Sequence, residues 1–136
     1  MTKTIALRVV TPERSVFEES VAFFSLRGEA GELGILPEHI PLCANLSRGV
    51  LSYRLPDGRS GSLTVMGGIL NVQPDRATVL AEAAERAEEI DVARARAAKA
   101  RAESRMADQR DRADELALER ALVRIEAFDA VASSRR

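Results

Sequence analysis

The sequence predicts an α+β protein in which an N-terminal antiparallel β-sandwich is followed by a C-terminal antiparallel two-helix hairpin. All 8 glycines and all 5 prolines of the 136-residue chain lie at or before Pro74. Beyond that point the residues are mostly Ala, Arg, Glu and Leu, which favour helices, whereas Gly and Pro mark turns. The change falls within residues 80–95. We therefore expect a sandwich unit over residues 1–86 and a helical unit over residues 87–136.

The N-terminal unit contains many short strand-like segments. They cover residues 4–10, 15–18, 21–27, 32–36, 41–46, 50–55, 62–66, 68–73 and 77–81. In the first segment Ile5, Leu7 and Val9 alternate with other residues, as in a strand with one buried face. Turn signals recur about every 8 to 12 residues, and no helical pattern lies between the segments to support parallel crossovers. This spacing is typical of an antiparallel sandwich or barrel.

The single histidine, His39, and the single cysteine, Cys43, are the candidates for a catalytic pair. An imidazole can activate a neighbouring thiol. However, Pro37 and Pro41 bracket the histidine, and no residue in the sequence is placed to orient its ring. We expect Cys43 to be a small core residue, His39 a turn or interface residue, and the protein to be non-catalytic. No metal site is predicted and no cofactor is required, because one His and one Cys without a carboxylate cluster make no recognisable ligand set.

Composition and charge argue against several classes of protein. The net charge is −1 with 30% charged residues, so no nucleic-acid-binding surface is indicated overall. The sequence has no run of about 18 apolar residues for a membrane span. The N-terminus lacks the apolar segment of a secretory signal. A lone cysteine excludes an internal disulfide and suits a reducing compartment. We expect a cytosolic chain with no nucleic-acid partner.

The segment 28–41 predicts a stiff loop. Its three glycines permit tight or left-handed backbone, its two prolines restrict the chain, and its three glutamates keep it solvated. The apolar side chains between them are Leu33, Ile35, Leu36 and Ile40. Such a loop serves as a contact surface for a partner, or its apolar residues close the end of the sandwich. The two roles are compatible.

Two helices are predicted after residue 90, joined by the polar segment 108–112. Asp91 is a suitable N-cap for the first helix, and Asp111 for the second. The first helix carries an alanine seam at helical spacing, formed by Ala95, Ala98 and Ala102. Alanine buries little area, so the seam lets another helix approach closely without holding it firmly. The second helix has a predicted apolar stripe for this seam, formed by Leu118, Ala121, Leu122, Ile125 and Phe128.

Arg120 and Arg124 lie four residues apart on one face of the second helix and repel each other. Neither has a carboxylate three or four residues away in the sequence. An anion from elsewhere would relieve the repulsion. It could be a carboxylate of Glu85, Glu88 or Asp91 across the hairpin, or a phosphate, which suits the planar fork of arginine. The alternative is a pair of solvated arginines beside a core stripe.

Three stretches of the sequence together resemble the epsilon subunit of the bacterial F-type ATP synthase, over nearly the whole chain. They are LRVVTPERSVFE (residues 7–18), GELGILPEHIPL (residues 31–42) and GGILNVQPDRATVLAEAAERAEEID (residues 67–91). The resemblance implies the same order of sandwich and hairpin. It also implies a non-catalytic subunit of the central stalk, which couples proton-driven rotation to ATP synthesis and inhibits ATP hydrolysis through its C-terminal helices.

The resemblance also implies partners and a location. The sandwich would bind the gamma subunit and the polar loops of the membrane c-ring, with Glu32 and His39 in one contact loop. Glu38 stands where the family commonly has glycine, so the backbone there has less freedom. The hairpin is mobile in this family, and its basic first helix would meet the alpha and beta subunits when extended. The chain would lie peripherally at the cytoplasmic face of the bacterial plasma membrane, touching it only through the complex.

Some members of this family bind ATP as a regulatory ligand in the folded-down state. They use a motif Ile/Leu-Asp-x-x-Arg-Ala, which residues 90–95 (IDVARA) match, together with arginines of the second helix. The resemblance places Glu85 on the adenine side and the triphosphate against three arginines. The implied ATP-binding residues are Glu85, Ile90, Asp91, Arg94, Ala95, Arg120 and Arg124.

A second class of function fits the same two-unit architecture. A free-standing adaptor would bind one protein through the sandwich and another through the hairpin, with no part in a rotary ATPase. Co-purification with a gamma subunit would distinguish the two classes.

Overall fold

The computed structural model describes residues 3–108 and 111–134, and these residues form eight strands followed by two helices. The strands are β1 (Ile5–Val10), β2 (Ser15–Val21), β3 (Phe23–Gly28), β4 (Gly31–Ile35), β5 (Leu42–Arg54), β6 (Ser60–Val72), β7 (Arg76–Ala81) and β8 (Ala84–Arg86). A 3₁₀ turn (Ala87–Glu89) then leads into α1 (Val92–Asp108) and α2 (Arg112–Ser134). The predicted α+β fold, sandwich first and hairpin second, is confirmed. Residues 1–2, 109–110 and 135–136 of the predicted units, including part of the polar segment 108–112, lie outside the described residues.

The strands form one continuous sheet in the order β2-β1-β7-β6-β5-β3-β4, with β8 paired to β6. Two pairs of segments predicted as separate strands are in fact single 13-residue strands, β5 and β6. Along β6 the partner changes, because residues 63–65 pair with β8 and residues 68–72 pair with β7. One pair, β1 with β7, is parallel. It needs no crossover helix, since the five strands β2 to β6 connect the two.

Two adjacent glycines lie where β6 changes partner. Gly67 has a φ of 84° and Gly68 a φ of 135°, in a region that L side chains rarely adopt. A Cβ atom at Gly68 would lie 2.1 Å from the carbonyl oxygen of Leu80 on β7. The two strands approach so closely here that only glycine fits.

The sandwich core is built from residues that alternate along the strands. Its largest fully buried side chains are Phe17, Phe24, Ile5, Leu7, Leu26, Ile35, Leu51, Leu63 and Leu70. Cys43 is exposed, so its prediction as a core residue is wrong. The reason is that side chains alternate between the two faces of β5: Leu42 and Ala44 are half-buried, whereas Cys43 and Asn45 are exposed.

Helix α2 packs on β5, on β6 and on the 3₁₀ turn, and α1 packs on α2. Because α2 covers the outer face of β6, both faces of that strand are buried over residues 61–66. Leu63 and Val65 belong to the sandwich core. Ser62 and Thr64 point to the opposite face and are nevertheless only 4% and 0% exposed. The hairpin therefore lies folded against the sandwich. No helix in the described part of the chain is long and apolar enough to cross a membrane.

The packing of the two helices corrects the predicted stripe. Ala95 and Ala102 of the α1 seam are buried, as expected. On α2, Leu122 is 44% exposed, whereas Val123 and Ala127, which lie outside the predicted stripe, are buried. Since α2 contacts both α1 and the sheet, it buries two narrow faces rather than one broad one. A single stripe of large residues does not reveal that arrangement.

Candidate functional site

The motif residues 90–95 form the entry into α1. Asp91 is the N-cap, as predicted, because its Oδ1 accepts a hydrogen bond from the Arg94 backbone N at 3.0 Å. Its carbonyl oxygen accepts a second bond from the Ala95 backbone N at 3.0 Å. Ile90 and Ala95 are buried and anchor the start of the helix. Arg94 itself is exposed, and its guanidinium forms no ion pair with any described residue.

Glu85 joins the last strand to the second helix. Its backbone N donates to Thr64 Oγ1 at 3.0 Å, which fixes β8 beside β6. Its carboxylate accepts a hydrogen bond from Arg124 Nε at 2.6 Å, and the two side chains are 35% and 36% exposed. Of the three carboxylates considered as a partner for the arginine pair, Glu85 is the one that meets Arg124. Arg120, one turn earlier, is exposed and has no ion pair within residues 3–108 and 111–134.

Two sets of the predicted ATP-binding residues are in contact: Asp91 with Arg94 and Ala95, and Glu85 with Arg124. The guanidinium groups of Arg94 and Arg120 have no ion pair among the described residues and remain available to an external anion. Arg101 was not singled out from the sequence, although it lies seven residues after Arg94 and thus on the same face of α1. It is also exposed and unpaired among the described residues. A polyanion could accept hydrogen bonds from these guanidinium groups, and arginine suits phosphate oxygens well.

Arg86, the last residue of β8, fastens the end of the sandwich. Its Nε donates to the Val16 carbonyl oxygen at 2.8 Å, and its guanidinium lies 5.3 Å from the centroid of the Phe17 ring. The Phe17 ring in turn lies 4.6 Å from that of Tyr53. Burial raises the pKa of the Tyr53 phenol, with a further contribution from Glu88, so this phenol stays neutral around pH 7. Pattern-based reasoning did not identify this contact, because a charge on a strand end carries no local signal.

Glu32 and His39 do not share one loop. Gly31–Ile35 forms β4, so Glu32 lies beside the β3–β4 turn and His39 follows the far end of the strand. Three residues of strand between Glu32 and Ile35 correspond to roughly 10 Å. The His39 Nδ1 lies 2.7 Å from the carbonyl oxygen of Ile40. In the part of the chain that the structure describes, no hydrogen bond joins His39 to Cys43.

The connection between β4 and β5 carries exposed apolar residues. Leu36 and Ile40 are 59% and 75% exposed, whereas Ile35 is buried in the core. Ile35 thus helps to close the sandwich, which is one of the two roles considered for this segment, and Leu36 and Ile40 present an apolar surface to solvent.

Glu38 lies in this connection with a φ of 68°, in the left-handed region. Its backbone N donates to the Pro74 carbonyl oxygen at 2.8 Å, and its carboxylate pairs with the Lys3 ammonium at 3.0 Å. The chain thus keeps a backbone geometry suited to glycine even though glutamate occupies the position.

Two variants at Glu38 test this strain, because Glu38→Gly and Glu38→Ala both remove the exposed ion pair and differ only in the Cβ atom. A Cβ in the left-handed region costs on the order of 1 kcal/mol. We expect Glu38→Gly to be the more stable of the two by about 1 kcal/mol in urea unfolding. Equal stabilities would show that the left-handed conformation is not imposed on residue 38.

An open cavity of about 900 Å³ lies over the solvent face of β6 and β7. Ile69 and Leu80 line it, are 43% and 54% exposed, and are register partners across the two strands. Leu80 also pairs in register with Val10 on β1, which lines the same cavity. An apolar row across three adjacent strands is the kind of surface that binds another protein. The sequence signal was the apolar Leu80 at an outward position of β7.

Comparison with known proteins gives a family match over the sandwich and relatives over the whole chain. The family described as "ATP synthase, Delta/Epsilon chain, beta-sandwich domain" matches residues 4–87. A protein of Anoxybacillus flavithermus named ATP synthase epsilon chain is 54% identical over 105 residues, covering 76% of this chain and 77% of the relative. The ATP synthase epsilon chain of Bacillus velezensis is 45% identical over 128 residues, with coverages of 91% and 96%. That of Desulforamulus reducens is 46% identical over 133 residues, with coverages of 95% and 100%.

Two solved structures have chains of similar fold. A chain of the Euglena gracilis mitochondrial ATP synthase, in an OSCP/F1/c-ring structure, gives a TM-score of 0.70 at 21% identity, covering 98% of this chain and 82% of that chain. A chain from the central stalk and c-ring structure of the Tetrahymena thermophila mitochondrial ATP synthase gives 0.55 at 15% identity, with coverages of 96% and 99%. At these identities the likeness concerns the fold alone.

Proposed function

Because the chain belongs to the ATP synthase epsilon chain family, we propose that it is a non-catalytic central-stalk subunit of a proton-translocating F-type ATP synthase. In this role it couples rotation to ATP synthesis and inhibits ATP hydrolysis through its C-terminal helices. Relatives named as epsilon chains align with the hairpin as well as the sandwich, since one alignment covers 95% of the chain. The two solved structures agree with this assignment at the level of the fold.

The proposed partners of the sandwich are the gamma subunit and the polar loops of the c-ring. The apolar row of Val10, Leu80 and Ile69 suits the gamma subunit, because it offers a contiguous surface that would otherwise face water. Glu32 beside the β3–β4 turn and His39 in the next connection provide polar groups for the c-ring loops. Through this complex the chain would sit peripherally at the cytoplasmic face of the bacterial plasma membrane.

The regulatory part of the proposal depends on the narrow contact between α2 and the sheet. Val123 and Ala127 on the helix are small, and Ser62 and Thr64 on β6 are polar. Separating such surfaces exposes little apolar area. Because exposing apolar area costs about 25 cal/mol per Å², the free energy of separation is small. A hairpin held this way can leave the sandwich and extend towards the alpha and beta subunits, where it would block hydrolysis.

We further propose ATP as a regulatory ligand at the junction of the two units, with no cofactor required. Its triphosphate would contact Arg94, Arg120 and Arg124, and Glu85 would lie on the adenine side. Arg124 would exchange its contact with Glu85 for a phosphate oxygen, which keeps the guanidinium paired. ATP bound across both units would favour the folded-down hairpin by mass action.

Removal of the hairpin tests the regulatory role. A chain ending after Glu89 keeps all eight strands and lacks both helices. In the reconstituted ATP synthase we expect ATP hydrolysis to rise severalfold above that of the complex with the full-length chain. The control is the amount of truncated chain that co-purifies with the complex, which must match the full-length protein. Unchanged hydrolysis at equal occupancy would contradict the proposal.

A further inference from the structure

Helix α2 is joined to the sandwich by two ion pairs of opposite polarity. On β5, Arg48 Nη1 lies 3.3 Å from Glu119 Oε2 of α2. On β8, Glu85 Oε1 lies 2.6 Å from Arg124 Nε of the same helix. Each unit thus contributes one cation and one anion. We propose that Arg48 and Glu119 form an ionic latch that holds the hairpin closed and sets the register of α2 on the sheet.

The positions along α2 support a defined register. Residues 119, 123, 127 and 130 follow helical spacing and share one face. Glu119 lies at Arg48, and at the other end Ala130 lines a cavity of about 170 Å³ with Ser52 and Ser62. From Glu119 to Ala130 the helix rises about 16 Å over eleven residues. From Arg48 to Ser52 the strand β5 spans roughly 13 Å over four residues, so the two distances are similar. The helix therefore runs antiparallel to β6, and a slip by one turn would break both ion pairs.

The composition of the interface makes the ion pairs important. The residues that are buried on the outer face of β6 are Ser62, Thr64 and Met66, and those buried on the sheet-facing side of α2 include Val123 and Ala127; apart from Met66 these side chains are small or polar. Such surfaces discriminate poorly between registers. An exposed ion pair changes an equilibrium by up to about fivefold. Arg48 and Glu119 are 29% and 50% exposed, so the pair is partly removed from water while remaining open to salt.

The Arg48–Glu119 pair is suited to a latch that nucleotide binding does not rearrange, because neither residue belongs to the proposed ATP-binding set. Glu85 and Arg124 are expected to rearrange when a nucleotide binds, and this point rests on the proposed ATP site. The latch does not depend on that site, since it requires only that the hairpin docks on the sheet.

Hydrogen exchange of the full-length protein at low salt tests the latch. Arg48→Glu places like charges opposite each other, so we expect amide exchange over residues 115–127 to become about tenfold faster. The charge-swapped variant Arg48→Glu/Glu119→Arg should restore the wild-type rate to within about twofold. The matched control is Lys3→Glu, which makes the same change in net charge at an ion pair outside the hairpin. Lys3→Glu should leave the amide exchange rates in α2 unchanged.

Two further measurements, the salt dependence of exchange in α2 and the exchange rate in the sheet, make the test decisive. Raising the salt concentration to about 0.5 M should speed exchange in α2 of the wild type more than in α2 of Arg48→Gln/Glu119→Gln, since of the two ion pairs between α2 and the sandwich the variant keeps only the Glu85–Arg124 pair for salt to screen. Exchange in β5 and β6 should stay constant in every variant. Failure of the swap to restore protection, or equal acceleration in the sheet and in α2, would overturn the latch. Neither result bears on ATP hydrolysis, so the latch and the proposed function can fail separately.

Discussion

Gly68→Ala is expected to lower the free energy of unfolding by about 4 kcal/mol, a large share of the stability of a small protein. The backbone at Gly68 has a φ of 135°, which a residue with a Cβ rarely adopts. The added Cβ would lie 2.1 Å from the Leu80 carbonyl oxygen and 2.8 Å from the Ala81 Cα. Both are backbone atoms, so relief requires β6 and β7 to separate. Urea unfolding followed by circular dichroism measures the effect.

Gly31→Ala is the matched control for this substitution. Gly31 has the same φ of 135°, but a Cβ there would meet no atom within 4 Å. Gly31→Ala should lower the free energy of unfolding only through the strained backbone conformation, by about 2 kcal/mol. The difference between the two variants then measures the close approach of β6 to β7. If Gly68→Ala is no more harmful than Gly31→Ala, the strands do not approach as closely as described.

Arg120→Ala is expected to weaken ATP binding at least tenfold in isothermal titration calorimetry. A hydrogen bond between charged groups contributes about 1.5–3 kcal/mol, and about 1.4 kcal/mol corresponds to a factor of ten. Arg120 is exposed and has no ion pair among the described residues, so its removal leaves no buried charge behind. Arg124→Ala should weaken binding as well, but it also removes the contact to Glu85. Arg120 is therefore the cleaner test.

The control for the loss of charge is Arg112→Ala. Arg112 lies at the first turn of α2, where it pairs with Glu115 rather than facing the junction. It should leave ATP affinity within about twofold of the wild type. An equal loss in Arg112→Ala and Arg120→Ala would mean that only net charge matters. No heat from the wild-type protein with millimolar ATP would remove ATP as a ligand of this chain.

Local signals in the sequence were sufficient for several parts of the candidate site. Asp91 and Asp111 were predicted as helix caps, and both accept the expected backbone hydrogen bonds. The alanine seam of α1 was found from its spacing alone. These features depend on residues within a few positions of one another, so they can be identified without knowing the fold.

Features that join distant segments were not predictable in the same way. The joining of predicted short segments into β5 and β6 depends on which strands lie beside them. The partner of Arg124 was left among three carboxylates, and only the position of β8 beside α2 selects Glu85. Arg48 and Glu119 are 71 residues apart in the chain, and nothing near either residue suggests the other.

The sequence by itself determined the order of the units and the family, because composition, caps and motifs are local properties. Tertiary structure decided that α2 lies between the sheet and α1, since the apolar residues of α2 are compatible with more than one buried face. It also decided which charges pair. The arginines proposed to hold a nucleotide lie on a hairpin that contacts the sandwich through small buried side chains and two ion pairs. These contacts exist only when the hairpin is docked on the sheet.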